Sequence, residues 1–487
     1  MGRLAATLPA LVLAAIGVFM IAPIDDPDFW WLLRGGAYIV ETGTFPLTDP
    51  FSGTAAGEPW LNHAWGFELL LYAIYRVAGL DGIVVMQAAF AVLAFAALYR
   101  LLRREGVSRG WALGGIVLGA LATHGFWTPR PQLVTYVLLV VFWGVLREYR
   151  DGRRDRLVWL APLMVLWVNL HGGFMVGPTL LALVLAGEVI DRVCRARADA
   201  LDARRMRRLA VVGVACLAAT FVNPFYHRAV LFPFEVLAER LPQAFIIEWA
   251  SPPFQFGQVV LVEGLVMLTL VLLLRTPRPV RVSDLIVLVA FFHFALQAVR
   301  NIPLLVVVLV PILARAMAEA GAEEMELLRP LRELWQRRLA VGVAAAALPV
   351  VVLAGYPLSS LDEFRPRFGV ASSFPAGAVD YLERERGSGT LFNDYGWGGY
   401  LIWHLYPDYR VSIDGRVAVY GPRRFAEHVE VSEVRPRWRE TLDRLGTRLV
   451  LIRARSPLAI VLKASPGWTV LYEDRLAVIF AKREAAS

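Results

Sequence analysis

The sequence predicts a polytopic α-helical membrane protein of about eleven transmembrane helices, followed by a C-terminal extracytoplasmic α/β domain. Three observations predict this class. The 487 residues are 57% hydrophobic with a mean hydropathy of +0.53, which is too apolar for a soluble chain of this length. Roughly eleven apolar runs approach the 17 to 25 residues that cross a bilayer. The composition becomes that of a soluble domain near Tyr356. We therefore expect a transmembrane domain over 1–356 and an extracytoplasmic domain over 357–487.

The transmembrane helices are predicted from these apolar runs alone. We expect the first run to remain as a membrane span, because only Arg3 precedes it and no small-residue cleavage site follows it. The predicted spans are residues 4–24, 82–100, 110–126, 132–146, 157–170, 173–190, 208–222, 257–274, 283–298, 302–316 and 339–355.

The distribution of arginine predicts the orientation in the membrane. The net charge is +8, yet only Lys463 and Lys482 are lysines. Such a charge indicates membrane topology and no nucleic-acid partner, because positively charged loops stay in the cytoplasm. A cytoplasmic N-terminus and a C-terminal domain outside a bacterial-type inner membrane follow from this rule. The arginine-rich segments are 100–109, 147–156, 192–208, 275–281 and 329–338, and the intervening acidic or neutral ones are 25–60, 169–173 and 223–256.

This orientation requires that the segment 61–79 does not span the bilayer. It carries Asn62, His63, Glu68 and Arg76 among its apolar residues, so we expect an interfacial helix on the outer leaflet. The alternative is a protein with twelve spans, in which the basic stretch around 101–110 would lie outside.

The C-terminal region has the pattern of a small α/β domain. Ser373 is a candidate N-cap of its first helix, and Gly387 is a candidate stop. The stretch YEDRLAVIF predicts a hairpin near Asp474. The predicted strands are 390–392, 409–413, 448–452, 468–472 and 476–481.

Two outer loops, 25–80 and 223–256, contain the first candidate functional residues. The first loop opens on Asp26-Pro27-Asp28 and a predicted helix from Asp26 to Glu41. A carboxylate at a water-accessible helix end can accept a proton from an attacking hydroxyl. It can also bind a divalent cation such as Mg²⁺ or Mn²⁺, or it can simply favour the helix N-terminus. We interpret the following Trp30-Trp31 pair as an interfacial anchor.

Other candidate residues are cationic. The predicted outer loop THGFWTPRPQ contains Arg130 and no acidic residue, and Arg300 lies at another outer turn. A guanidinium group can hold a phosphate through two parallel hydrogen bonds, although an arginine at a helix end is often purely structural. His63 and His171 are also predicted to lie outside, but they lack the spacing of a zinc site.

The first outer loop, DDPDFWWLLRGGAYIVETGTFPLTDPFSG and its continuation to Gly79, resembles that of GT-C superfamily glycosyltransferases. It is similar to the catalytic subunits of oligosaccharyltransferases and to polyprenyl-phosphate-sugar transferases of the protein mannosyltransferase or aminoarabinose transferase type. This resemblance implies a catalytic aspartate directly after the first span. Counting back from Gly43 indicates Asp28, whereas the Asp-Pro-aromatic pattern indicates Asp26, and both assignments stay open.

Two further segments resemble oligosaccharyltransferases. Residues 378–416 resemble the region of the W-W-D-Y-G signature, although Phe392 and Asn393 replace its two tryptophans. FIIEWASPPF resembles the S-V-x-E segment. By this resemblance, and with the two outer histidines added, the candidates for binding the acceptor or a metal are Glu248, His63, His171, Asp394, Tyr395, Asp414 and Arg416.

The resemblance implies a membrane glycosyltransferase that takes a sugar from a polyprenyl-phosphate or polyprenyl-diphosphate donor. The acceptor would be an extracytoplasmic protein, lipid or polysaccharide. Asp28 or Asp26 would be the base and would be a metal ligand if a divalent cation takes part, and Arg130 and Arg300 would bind the donor phosphate. We expect all four, with Glu248, to line one cavity. The alternatives are a lipid or glycan transporter or flippase, and a non-catalytic GT-C-like assembly factor.

Overall fold

The computed structural model describes residues 2–195, 199–238, 246–255, 257–276, 280–324 and 370–483. The predicted span 339–355 and the predicted domain boundary at Tyr356 lie outside these residues. The helices of the described chain are α1 (Gly2–Phe19), α2 (Asp28–Thr42), α3 (Trp65–Arg104), α4 (Arg109–Thr123), α5 (Gln132–Arg150), α6 (Leu160–Leu170), α7 (Val176–Val193), α8 (Ala203–Ala219), α9 (His227–Ala238), α10 (Gly257–Arg275), α11 (Val282–Gln297), α12 (Ile302–Glu324), α13 (Ala376–Glu385), α14 (Gly398–Leu405), α15 (Val417–Ser432), α16 (Trp438–Arg444) and α17 (Pro457–Lys463).

Several helices have the length and apolar character of membrane spans, and the chain is a multi-pass membrane protein. Within the described residues, five are long enough: Trp65–Arg104, Gln132–Arg150, Gly172–Val193, Gly257–Arg275 and Val299–Glu319. Shorter apolar helices cover Thr7–Phe19, Leu157–Leu170 and Val282–Gln297. Each of these helices overlaps a predicted span, while the total of eleven stays a prediction.

Helix α3 contains most of the predicted interfacial segment 61–79. Its 40 residues are interrupted at Gly79, whose φ of 61° and ψ of −156° are not helical. Glycine tolerates this positive φ because it has no Cβ. The break separates the predicted interfacial segment from the predicted span 82–100. The helix begins at Trp65, four residues later than the start of the predicted segment.

The first compact unit comprises Met1–Ala22, Val84–Val230 and Ile246–Arg365. Large apolar side chains such as Phe142, Trp143 and Trp167 are fully buried in it. Where α5 ends, Arg147 and Arg150 both donate to Asp284 of α11, at 3.3 and 2.6 Å. Buried ionic groups require such pairing, because an unpaired charge is costly away from water. The pairs therefore fix the end of α5 to α11.

The second compact unit comprises Pro23–Ile83, Leu231–Phe245 and Pro366–Ser487. Its sheet has the strand order β2-β1-β3-β5-β4, with β2-β1-β3 parallel and β3-β5-β4 antiparallel. The strands are β1 (Gly389–Asn393), β2 (Tyr409–Val411), β3 (Leu449–Arg453), β4 (Trp468–Glu473) and β5 (Ala477–Lys482). All five predicted strands are confirmed, as is the hairpin at Asp474, whose carboxylate accepts the backbone N–H of Leu476 and Ala477.

The unit also contains residues of the first predicted outer loop, and two details differ from the predictions. Ser373 does not cap α13, whose N-cap position is Pro375; its hydroxyl donates to Asp25 instead. Trp30 and Trp31 are not interfacial anchors, because they are only 1% and 7% exposed. Tyr400 of α14 contacts the Trp30 ring edge-on at 4.9 Å. The aromatic residues therefore form a core and do not mark a bilayer surface.

Helix α2 lies directly on α3. A Cβ on Gly36 would stand 2.1 Å from the carbonyl oxygen of Glu68, so only glycine permits this backbone contact. The predicted helix from Asp26 is confirmed, with its start at Asp28. The contact fixes the helix that carries the candidate catalytic residue.

Candidate functional site

The two candidate catalytic aspartates have different environments at the start of α2. Asp26 is 9% exposed, and its Oδ1 accepts the backbone N–H of Asp28 at 3.0 Å. Asp28 is the first residue of the helix, is half-buried, and accepts the indole N–H of Trp31 at 3.0 Å. Both carboxylates are thus oriented by hydrogen bonds from neighbouring residues, and the geometry leaves the choice between them open.

Two glycines of the C-terminal region leave room for this helix start. A Cβ on Gly415 would lie 1.8 Å from Oδ1 of Asp28, and one on Gly399 would lie 2.5 Å from the carbonyl oxygen of Pro27. No L side chain fits at these distances. Gly415 therefore lets the backbone approach the Asp28 carboxylate, which the sequence alone did not reveal.

Asp414 and Arg416, predicted to bind the acceptor or a metal, form a closed structural network. The Arg416 guanidinium donates to Asp414 at 2.9 and 2.7 Å and to Asp49 at 2.7 Å. The hydroxyl of Tyr420 donates to Asp414 at 2.5 Å. The arginine also lies 4.8 Å from the ring centre of Trp60. Asp414 is 0% and Arg416 5% exposed, so both are buried within this network, and their predicted contact with the acceptor or a metal stays a prediction.

The charges in this network stabilise one another. Burial raises the pKa of Asp49, but the charge of Arg416 and hydrogen bonds from Ser52 and Phe51 bring it below its usual value. Burial lowers the pKa of Arg416, and Asp414 and Asp49 raise it well above the usual value. Asp49 and Arg416 therefore stay ionised, and the network joins the loop at Asp49 to the C-terminal domain.

Asp394 and Tyr395 have local partners as well. The Asp394 carboxylate accepts the backbone N–H of Gly396 and the guanidinium of Arg453, both at 3.0 Å. The Tyr395 ring packs against Phe425 with centroids 5.7 Å apart. This geometry is that of a strand-to-helix turn capped by aspartate, and their predicted contact with the acceptor stays a prediction.

In the first unit, three predicted residues from different loops come together. Arg130 donates to Glu248 through two nitrogens, at 2.7 and 3.2 Å. Arg300 donates to the same carboxylate at 3.3 Å, and its guanidinium lies 4.5 Å from the ring centre of Trp249. The backbone holds the loops together, since Val299 N–H donates to the carbonyl of Ala250 at 2.9 Å.

This arginine–glutamate cluster, Arg130, Glu248 and Arg300, is partly open. The three side chains are 15%, 30% and 28% exposed. Burial raises the pKa of Glu248, but the charges of Arg130 and Arg300 lower it to about 2. Among these three side chains, two guanidinium groups thus contact one carboxylate. They present cationic hydrogen-bond donors close together, as the binding of an anion requires.

The predicted outer histidines contact neighbours within their own units. His171 Nδ1 lies 2.6 Å from the hydroxyl of Thr135, which accepts the indole N–H of Trp167 at 2.8 Å. The His63 ring stacks on Phe232 with centroids 4.9 Å apart. Among the described residues, no group of three or more His, Cys, Asp or Glu side chains could hold a metal ion. The predicted Mg²⁺ or Mn²⁺ stays a prediction.

Comparisons with known proteins identify the fold. No family model matches the sequence, and no curated protein matches it. The archaeal oligosaccharyltransferase AglB from Archaeoglobus fulgidus, solved with an inhibitory peptide and a dolichol-phosphate, is similar with a TM-score of 0.65 and 12% identity. The match covers 99% of this chain and 75% of that one.

Two other glycosyltransferase structures are similar. ArnT from Cupriavidus metallidurans, bound to undecaprenyl phosphate, matches with a TM-score of 0.54 and 14% identity over 98% of this chain and 97% of that one. The mycobacterial arabinofuranosyltransferase AftD matches with a TM-score of 0.56 and 15% identity over 99% and 41%. The chain has the fold of GT-C membrane glycosyltransferases, as the resemblance implied.

Sequence reasoning missed several residues that support the candidate sites. Asp49 completes the Arg416 network, Trp249 underlies Arg300, and Gly415 lies against Asp28. Trp249 directly follows Glu248 in the sequence, so its position next to a predicted site residue could have indicated that it belongs to the same site. Asp49 gave none, because its partner is 367 residues away.

Proposed function

We propose that this protein is a membrane glycosyltransferase that transfers a sugar from a polyprenyl-phosphate or polyprenyl-diphosphate donor to an extracytoplasmic acceptor. The arginine–glutamate cluster is the observation that carries the proposal, because it brings two partly exposed guanidinium groups together, which suits a donor phosphate. The fold supports it, since the AglB structure includes a dolichol-phosphate and the ArnT structure an undecaprenyl phosphate. We place the N-terminus in the cytoplasm of a bacterial-type cell and residues 357–487 outside its inner membrane.

The proposed chemistry is a single displacement at the anomeric carbon. A hydroxyl or amide group of the acceptor attacks this carbon from the face opposite the phosphate, and the configuration inverts. The new bond joins the acceptor to the sugar, while the carbon–oxygen bond to the phosphate breaks. The acceptor proton passes to Asp28 or Asp26. The polyprenyl phosphate or diphosphate leaves with the electron pair of the broken bond.

The leaving phosphate needs stabilisation, because negative charge builds on it as the bond breaks. Arg130 and Arg300 would supply it with hydrogen bonds from fixed guanidinium groups. In the described structure both donate to Glu248. We propose that this glutamate keeps the two arginines close together, and that the phosphate binds beside it against both guanidinium groups. No step of the proposed reaction passes through a metal.

The phosphate-binding step is tested with undecaprenyl phosphate as the probe. Arg130→Gln and Arg300→Gln, each in the full chain in nanodiscs, should weaken its binding about tenfold or more, since a hydrogen bond to a charged group contributes about 1.5–3 kcal/mol. Arg228→Gln is the matched control, because Arg228 is an exposed arginine of the second predicted outer loop. Equal affinities of all three variants and the wild type would reject the phosphate site.

The catalytic step is tested by Asp26→Asn and Asp28→Asn, separately and together. Release of polyprenyl phosphate from lipid-linked sugars in native membranes is the readout, because it requires no knowledge of the acceptor. We expect a loss of at least a hundredfold in one of the two variants, consistent with loss of a general base. Asp408→Asn is the control, since Asp408 is exposed on the same unit. Undiminished release in the double variant would rule out both aspartates.

One observation favours a second candidate, a non-catalytic protein that binds the donor lipid. Both aspartates accept hydrogen bonds that have an evident structural purpose at the start of α2. Such a protein would bind undecaprenyl phosphate. In the release assay, however, even the wild type would produce no polyprenyl phosphate from lipid-linked sugars. A transporter or flippase would instead move a fluorescent lipid-linked sugar across the bilayer of a proteoliposome.

A further inference from the structure

A groove of about 480 Å³ lies between α8 and the chain entering α6, within the first unit. On the α6 side its lining is apolar and consists of Leu157, Val158 and Ala161. These residues lie at the start of the predicted span 157–170. The adjacent Trp159 is 63% exposed, as expected for a tryptophan at the membrane–water interface. This end of the groove therefore lies near the predicted headgroup region.

On the α8 side of the groove, the lining residues change from cationic to apolar along one face of the helix. Positions three, four and seven apart share a face of an α-helix. The stripe that lines the groove consists of Arg204, Arg207, Arg208, Val211, Val212 and Ala215. It is cationic over its first turn and apolar over the next two. An amphiphile with an anionic head and a hydrocarbon tail matches this order.

A second pocket, of about 460 Å³, adjoins the cationic end and shares Arg204 and Arg208 with the groove. It adds Arg153, Arg154 and Arg205, and its acidic residues are Asp155 and Asp202. Five arginines and two aspartates leave a net charge of +3. The head end of the groove is thus strongly cationic over two neighbouring loops.

Part of this positive charge is not neutralised within the described chain. Arg208 pairs with Asp155 at 2.8 Å, and Arg205 lies 4.8 Å from the ring centre of Tyr149. Arg204 and Arg207 are exposed, and neither makes an ion pair with any other residue that the structure describes. Arginines that only set the membrane topology would not need to share one face of α8. Nor would that face need to continue as an apolar stripe.

We infer that this groove binds an anionic glycerophospholipid of the inner leaflet. The lipid phosphate lies on Arg204 and Arg207, and an acyl chain lies along Val211, Val212 and Ala215. Basic pockets between membrane helices on the cytoplasmic side bind anionic headgroups. Both contributing loops, 147–156 and 192–208, are predicted to be cytoplasmic. The site does not depend on the proposed transferase activity.

The test is native mass spectrometry of the full chain, with phosphatidylglycerol and phosphatidylcholine of identical acyl chains. The wild type should bind phosphatidylglycerol at least tenfold more tightly. The double variant Arg204→Gln/Arg207→Gln should bring the two lipids within twofold of each other. The control Arg275→Gln removes the same charge from another exposed position on a predicted cytoplasmic segment, and it should retain the preference.

A second variant tests the apolar part of the groove. Ala215→Trp leaves every arginine in place, fills the acyl-chain path, and should weaken binding of both lipids at least fivefold. Equal binding of the two lipids by the wild type would overturn the inference, as would an unchanged preference in the double variant. So would displacement of the lipid by inorganic phosphate alone, which indicates a phosphate site, or by undecaprenyl phosphate at equal concentration, which indicates a donor site.

Discussion

Replacing Glu248 by glutamine gives the sharpest test of the arginine–glutamate cluster. The substitution removes the single negative charge that Arg130 and Arg300 share, and keeps a side chain of the same shape. A phosphate bound to these arginines would lie near the Glu248 carboxylate and be repelled by it. Removing this repulsion should strengthen phosphate binding. If the Glu248 carboxylate instead contributed favourably to phosphate binding, its replacement by glutamine would weaken that binding.

The size of the effect follows from Coulomb's law. Two like charges about 6 Å apart repel by about 0.7 kcal/mol at the dielectric constant of water and by about 3 kcal/mol at an effective value of 20. The cluster is partly exposed, so the true value lies between these limits. The affinity for undecaprenyl phosphate should therefore rise by roughly 3- to 100-fold per unit of phosphate charge.

The assay is a titration of undecaprenyl phosphate into the chain in nanodiscs. Glu235→Gln is the matched control, because Glu235 is an exposed glutamate of the second predicted outer loop. Weaker or unchanged binding by Glu248→Gln would refute the reasoning and indicate that the glutamate is needed to position the arginines.

The pH dependence adds an independent check on the same substitution. Because the pKa of Glu248 is lowered to about 2, the carboxylate is ionised throughout the range from pH 5 to 8. Any change in the ratio of the two affinities over this range should therefore follow the phosphate alone: the ratio should rise as the phosphate loses its second proton and gains negative charge. A carboxylate with a lowered folded pKa stabilises the fold above its unfolded pKa. This contribution should be lost as the pH falls from about 4.5 towards 2.

Three further predictions concern the second unit and the metal. Arg416→Met leaves two buried carboxylates without their partner, and should destabilise this unit by about 3–5 kcal/mol in denaturant unfolding followed by near-UV circular dichroism. Gly415→Ala places a methyl group against Asp28 and should lower release of polyprenyl phosphate at least tenfold, whereas Gly467→Ala, which meets no atom within 4 Å, should not. Addition of a chelator should leave the release rate within twofold; abolition that Mg²⁺ reverses would contradict the metal-independent reaction.

The strands could be predicted because their signal is local. Runs of β-branched and apolar residues bounded by turn residues are sufficient for a buried strand, and β3 and β5 have such runs around Val450 and Ile479. Trp30 and Trp31 show the limit of the same approach. An aromatic pair beside a membrane span is typical of an interface, and only the tertiary packing of Tyr400 on Trp30 makes it a core.

The candidate sites depend on pairs that are distant along the chain. Arg130 and Glu248 are 118 residues apart, and Glu248 and Arg300 are 52 apart. The sequence predicted these residues on the outer side and in one cavity, but it did not predict that both arginines would donate to Glu248. Arg416 also depends on a distant partner, since it donates to Asp49, which is 367 residues away along the chain.

The balance of charge separates a structural ion cluster from a candidate binding site in this protein. Arg416 contacts two carboxylates, and its side chain and that of Asp49 are 2% and 0% exposed. Its donors are therefore committed, and a substrate anion would meet excess negative charge. Arg130 and Arg300 share the Glu248 carboxylate and are 15% and 28% exposed, so both guanidinium groups keep access to water. An arginine buried between carboxylates presents no surface to a ligand, whereas an exposed guanidinium group can hold an anion through hydrogen bonds. This difference, rather than any motif, is why we assign phosphate binding to the arginine–glutamate cluster.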